Sequence, residues 1–189
     1  MLPLVRQMII HDRYKKDYDH RPEKDAKGHF RDEFYYKGEL HSIGLSEKEK
    51  KKRGLLCLGT GMLQLVLAAL PGLIEHPSSH VLWVTLPYVC IFLPCFYYVF
   101  GALEFLGSGM ELSRRQYDHS IGRMGNASLV IAITGIAAML AELVWLIRHF
   151  DPAELFYMAA FVPLFPVLLT RPWKKLEDIN AKRPEANDT

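Results

Sequence analysis

Residues 54–74 read GLLCLGTGMLQLVLAALPGLI and contain no charged side chain. A helix of that length rises about 30 Å at 1.5 Å per residue, which is the thickness of a bilayer's hydrocarbon core. Three further stretches share the pattern: 81–102 (VLWVTLPYVCIFLPCFYYVFGA), 127–147 (ASLVIAITGIAAMLAELVWLI) and 154–170 (ELFYMAAFVPLFPVLLT). The fourth is the shortest and carries Pro163 and Pro166, so it is expected to be tilted, kinked or partly re-entrant. Four such runs in a 189-residue chain leave too little amphipathic sequence to bury them in a water-soluble core. The expected fold is an all-α integral membrane protein with four transmembrane helices arranged as two hairpins.

The remaining sequence is polar and divides the chain. Residues 1–53 carry 14 Lys/Arg against 10 Asp/Glu and form a charged leader. Residues 54–102 make the first hairpin, 103–126 a connecting loop or amphipathic helix, 127–170 the second hairpin and 171–189 a tail. Basic residues concentrate before the first span (Lys48, Lys50, Lys51, Lys52, Arg53), in the middle loop (Arg114, Arg115, Arg123) and after the fourth span (Arg171, Lys174, Lys175). The two short turns hold only Arg148. The positive-inside bias therefore predicts a cell-membrane protein with both termini and the middle loop in the cytoplasm. Trp83, Trp145 and Tyr157 are expected in an outer aromatic belt, and Tyr97, Tyr98 and Trp173 at the inner boundary.

Local signals refine this picture. Ser46 and Glu49 form an S-x-x-E capping pattern, which starts the first helix in water before it enters lipid. Residues 34–45, FYYKGELHSIGL, read as a short hairpin or loop docked on the helix ends. Residues 12–33 are highly charged and read as flexible. The opening MLPLVRQMIIH is short, with Leu2, Val5 and Ile9 on one helical face, and fits an interfacial helix or a packing segment rather than a signal peptide. Cys57, Cys90 and Cys95 all fall within spans, so neither a disulfide framework nor a zinc-type spacing is expected.

A gapless shift of 73 residues lays LAALPGLIEH (67–76) over LAELVWLIRH (140–149), with nine identities in the 27 positions from 67 to 93. A duplicated hairpin would place a pseudo-two-fold axis along the membrane normal.

Polar groups inside the spans carry the candidate chemistry. Gln64 sits at the middle of the first span, where an amide needs an interhelical partner. Glu142 lies about 7.5 Å outward from the middle of the third span; an intramembrane carboxylate marks a functional site or reaches the surface to pair with Arg148 or His149. Glu104 stands near the membrane boundary. Lys50, Lys51, Lys52, Arg53, Arg114 and Arg115 are candidates for partner or anionic-lipid contact. His76, His80 and His149, with Glu75 and Asp151, could approach a metal if the two turns met, but no ligand spacing such as H-E-x-x-H supports a site and none is expected.

No phosphate-cradling glycine loop or nucleophile elbow is present. The leading expectation is a non-enzymatic membrane protein, a small or accessory subunit that assembles with copies of itself or with other membrane subunits. It would contact the bilayer and need no cofactor and no nucleic acid. The alternative is a small-solute or ion transporter or channel subunit with Gln64 and Glu142 in its pathway. Third comes a membrane enzyme or metal site at the outer face.

Overall fold

The computed structural model describes Tyr14 and residues 17–24, 30–38, 40–75, 77–176 and 179–182. The opening segment 1–11 and His76 lie outside the described residues. Four helical stretches are long and apolar enough to cross a membrane: Glu47–Leu73, Leu82–Gly107, Arg114–Arg148 and Pro152–Lys174. In chain order, the first is α1 (Glu47–Ala69) and the second is α2 (Leu82–Cys90) followed by α3 (Phe92–Gly107). A one-turn α4 (Arg114–Tyr117) and a π-turn (Asp118–Gly122) run into α5 (Arg123–Arg148), and the fourth stretch is α6 (Pro152–Phe161) followed by α7 (Leu164–Leu169).

The helices start and break where the sequence dictates. Ser46 caps α1 through the predicted capping box, its side chain accepting from Glu49 N while the Glu49 carboxylate accepts from Ser46 N. The α2/α3 junction at Ile91 follows Pro87, inside α2. The α6/α7 junction at Val162–Pro163 is where a ring replaces a backbone N–H.

Each spanning stretch buries one stripe. In α1 it is Lys50, Gly54, Cys57, Gly61, Gln64 and Ala68, in alternating steps of four and three residues. The second stretch buries Ile91, Cys95, Tyr98, Ala102 and Phe105, and the fourth Glu154, Tyr157, Phe161, Leu164 and Leu168, at the same spacing. This 3.5-residue period is that of helices packed knobs-into-holes. The outward faces carry large apolar side chains such as Leu55, Leu63, Leu93, Ile133, Ile147 and Phe156, a surface suited to lipid rather than water.

The α1–α3 and α3–α5 interfaces are the most extensive between helices. Small residues permit the approach. A Cβ on Gly61 would stand 2.7 Å from the Tyr98 ring, and one on Gly101 would stand 2.9 Å from the Ser120 carbonyl in the π-turn.

The expectation of an all-α chain needs correction. Strands β1 (Tyr18–Lys24) and β2 (Phe30–Tyr36) pair antiparallel, β1 lying within residues 12–33 that read as flexible and β2 running from them into the hairpin or loop read over 34–45. Strands β3 (Leu40–Ile43), β4 (Glu111–Ser113) and β5 (Ile179–Lys182) form a second antiparallel sheet in the order β4-β3-β5. Hydropathy locates segments that must satisfy their backbone alone, but it is silent about polar segments that pair with one another. The second sheet ties the leader, the middle connection and the tail together at one end of the bundle, called here the basic end.

The core has two halves along the bundle axis. At the basic end Ile43 and Leu112 from the strands pack with Cys57, Tyr98, Phe105 and Met124. Farther along, Ala68, Ile91, Cys95, Ile131, Tyr157 and Phe161 pack together. Tyr98 and Tyr157 are therefore core residues, 0% and 2% exposed, and not members of aromatic belts. Tyr157 faces Tyr88 and Phe161 edge-on, an arrangement that ring quadrupoles favour.

Gly59 and Gly61 make a test of the inward stripe, because a Cβ at Gly59 meets nothing within 4 Å. Gly59→Ala should stabilise α1 by up to about 1 kcal/mol through helix propensity. Gly61→Ala should destabilise by about 1–3 kcal/mol through overpacking against Tyr98. Thermal unfolding of both variants in one detergent checks the opposite signs.

Candidate functional site: a buried carboxyl pair

At the end of the bundle away from the strands, the turn after α1 folds into two short 3-10 segments, Pro71–Leu73 and Pro77–His80. Pro77 opens the second segment and leaves the N–H of Ser78 free to point inward. That N–H donates to Glu154 Oε1 at 2.9 Å. The Ser78 hydroxyl lies 2.9 Å from Glu142 Oε2 and 2.9 Å from Glu154 Oε2. All three residues are 0% exposed.

Their placement follows from local structure. Glu142 occupies the inward stripe of α5, which also buries Ile131, Gly135 and Ala138. Glu154 is the third residue of α6, whose start is capped by the Asp151 side chain accepting from Ala153 N at 2.8 Å. In a capping box the acid at this position reaches back to the cap; here Glu154 accepts from Ser78 in the other turn. Ser78 thus joins the turn after α1 to α5 and α6.

Counting hydrogens constrains the chemistry. The Ser78 hydroxyl contacts two carboxyl oxygens but has one hydrogen to donate. Both contacts are full hydrogen bonds only if one carboxyl contributes a hydrogen in addition to that of Ser78. Glu142 Oε1 has no hydrogen-bond partner, so one buried acceptor stays open to a further donor. The arrangement can hold a proton on one of the two acids, with the Ser78 hydroxyl between them.

On the solvent side, a cavity of about 640 Å³ is lined by Glu75, Ser79, His80 and Asp151 among others. Its walls come from both turns and adjoin Ser78 and Glu154 in sequence. The two turns do meet, through Ser78. His149 is exposed and stacks on Trp145, with ring centroids 4.1 Å apart. Among the described residues, no three His, Cys, Asp or Glu side chains are grouped closely enough to hold a metal ion.

The other sequence candidates are dispersed. Gln64 is buried in the α1 stripe, and its Oε1 has no partner. Glu104 is exposed and lines a cleft of about 390 Å³ with Gln116 and Arg123. Lys50 is 7% exposed, and its ammonium donates to the carbonyls of Ser108 and, at 2.9 Å, Gly109, just past the C-terminus of α3. A cation there complements the negative end of the helix, so Lys50 is engaged within the fold. Lys51, Lys52 and Arg114 are exposed, and Arg53 and Arg115 half-buried.

Ser78 and Glu154 were not legible as site residues. Ser78 lies in an ordinary polar turn, and Glu154 reads as a first-turn acid favoured by the helix dipole. The available signal was a second acid twelve residues after Glu142, across one short turn. Compared with protein-family models, curated proteins and solved structures, the chain has no significant match.

Ser78→Ala should cost about 1–3 kcal/mol, because it leaves buried carboxyl oxygens without their hydroxyl. Glu142→Gln should cost less, since an amide supplies the hydrogen that the pair lacks. Unfolding both variants in detergent measures the order, and a silent Ser78→Ala would count against the cluster.

Proposed function

We propose that the chain is a non-enzymatic, polytopic protein of the cell membrane that serves as a small subunit of a membrane assembly, either with copies of itself or with other membrane proteins. The observation that carries this reading is the β4-β3-β5 sheet, which gathers three separate polar segments into one structured platform outside the apolar spans. A leader serving only to start the first helix would not need such pairing. Lys51, Lys52 and Arg114 remain exposed near this end and offer charge to an acidic partner surface or to anionic headgroups.

The distribution of Lys and Arg supports placing the basic end in the cytoplasm, with both termini inside. The internal repeat and the two-hairpin arrangement belong to the same reading. Ile91, at the α2/α3 junction, is equivalent under the 73-residue shift to Leu164, which opens α7. The copies have diverged at the turns, since α5 continues to Arg148 beyond the position equivalent to the end of α1.

A second reading, movement of protons or small ions, is favoured by the buried Glu142–Glu154 pair beneath an open cavity that carries Glu75 and Asp151. Intramembrane acids of this kind commonly serve proton relays. Gln64 would then be a further polar station on the path.

Extraction in mild detergent separates the two. For a subunit, a stoichiometric partner or homo-oligomer copurifies, and joint charge reversal at Lys51, Lys52 and Arg114 reduces it while Glu142→Gln does not. For a transporter, proteoliposomes show ion or proton flux that Glu142→Gln abolishes. A monomer that copurifies with nothing would overturn the subunit reading.

A further inference from the structure

A groove of about 620 Å³ runs between α5 and the last spanning stretch, on the half of the bundle nearest the basic end. It exists because α5 makes only sparse contact with α7, which begins after the Val162–Pro163 break. Its lining changes along the axis. Tyr117, Asn126 and Arg171 stand at the basic end, while Ala132, Ile136 and Phe165 form the far floor and wall. Among the described residues that line the groove, Arg171 is the only charged one. It also has the only positive φ of a non-glycine residue among those described, 37°. Backbone strain of this kind clusters at ligand clamps and switches.

From the structure we infer that this groove is a binding site for one anionic glycerophospholipid of the adjoining leaflet. Its phosphate would sit on the Arg171 guanidinium beside the Asn126 amide, and one acyl chain would run along Ala132 and Ile136 against Phe165. The length fits: Asn126 to Ile136 spans about 15 Å at 1.5 Å per residue, half of a hydrocarbon core about 30 Å thick. The volume also fits, lying within the roughly 300–1,000 Å³ of small-molecule sites. A helix about 10 Å across would need roughly twice this volume over the same length, which disfavours a second copy or a partner helix. A free anion would leave the apolar floor unexplained, whereas a zwitterionic lipid would bring its own cationic group beside Arg171 and offset the attraction of its phosphate. Basic pockets between membrane helices on the cytoplasmic side select anionic headgroups by this chemistry. The inference goes beyond the subunit reading and requires only that the four stretches lie in a bilayer.

The full chain, reconstituted with equal amounts of phosphatidylglycerol and phosphatidylethanolamine and analysed by native mass spectrometry, tests it. The wild type should retain one phosphatidylglycerol in preference. Arg171→Gln should weaken that retention about fivefold, and Ala132→Phe, which fills the floor, should remove it. Equal retention of both lipids, or retention indifferent to both variants, overturns the proposal. So does displacement of the lipid by inorganic phosphate alone, or a lipid-free dimer that Ala132→Phe dissociates. Should Ala132→Phe fail to fold, thermal shift of the wild type decides: dispersed phosphatidylglycerol should raise the melting temperature and phosphatidylethanolamine should not, and equal shifts contradict the site.

Discussion

A polar atom in hydrocarbon costs several kcal/mol unless the protein itself supplies a partner. The arrangement of this chain follows from that constraint. Helices satisfy the backbone within each spanning stretch, and the inward stripe of α1 collects small and polar side chains against which large ones such as Tyr98 and Phe105 of α3 pack. Gly54, Cys57, Gly61 and Ala68 can line one side of α1 because lipid gives small side chains little reason to face it, and Gln64 turns its amide to the same side, away from lipid. What holds the helices together is close approach, as at Gly61 against Tyr98, together with a few polar contacts.

The two ends meet the constraint differently. At the basic end, water is near and backbone groups pair across segments distant in sequence, with Lys50 capping the carbonyls beyond α3. At the other end a single serine fastens a turn to two acids on α5 and α6. Removing the proton from the pair would leave two buried carboxylates and one hydroxyl hydrogen between them. Because two like charges held against one hydroxyl repel strongly in a medium of low dielectric, the cluster couples protonation to the seating of the Ser78 turn. That coupling serves a structural lock and a proton path equally well, and the fate of flux and assembly in the Glu142 variant distinguishes them.

Much of the spanning architecture was legible, because uncharged apolar runs of about 20 residues are the length a bilayer demands and seldom arise elsewhere, and S-x-x-E marks a helix start by its own hydrogen bonds. The inward stripe of α1 was present in the sequence as small and polar residues at 3.5-residue spacing in Leu-rich text. Beyond that, local sequence ran out. Strands β3, β4 and β5 have three or four residues each and find partners more than sixty positions away, so no window contains the pair. Lys50 sits in a run of similar basic residues, and nothing in that run tells which side chain meets the end of α3. Glu142 stood out because an acid in a span is rare. Its partners Ser78 and Glu154 did not, because each has an ordinary role at a membrane boundary.

Infrared difference spectroscopy on the protein in lipid at neutral pH tests the carboxyl proton most directly. Wild type minus the Glu142→Gln, Glu154→Gln double variant should reveal a protonated carboxylic acid C=O band, shifted by hydrogen bonding and slow to respond to deuterium exchange. A difference spectrum containing only carboxylate bands would show both acids ionised, and would contradict the protonated Ser78 cluster on which this account rests.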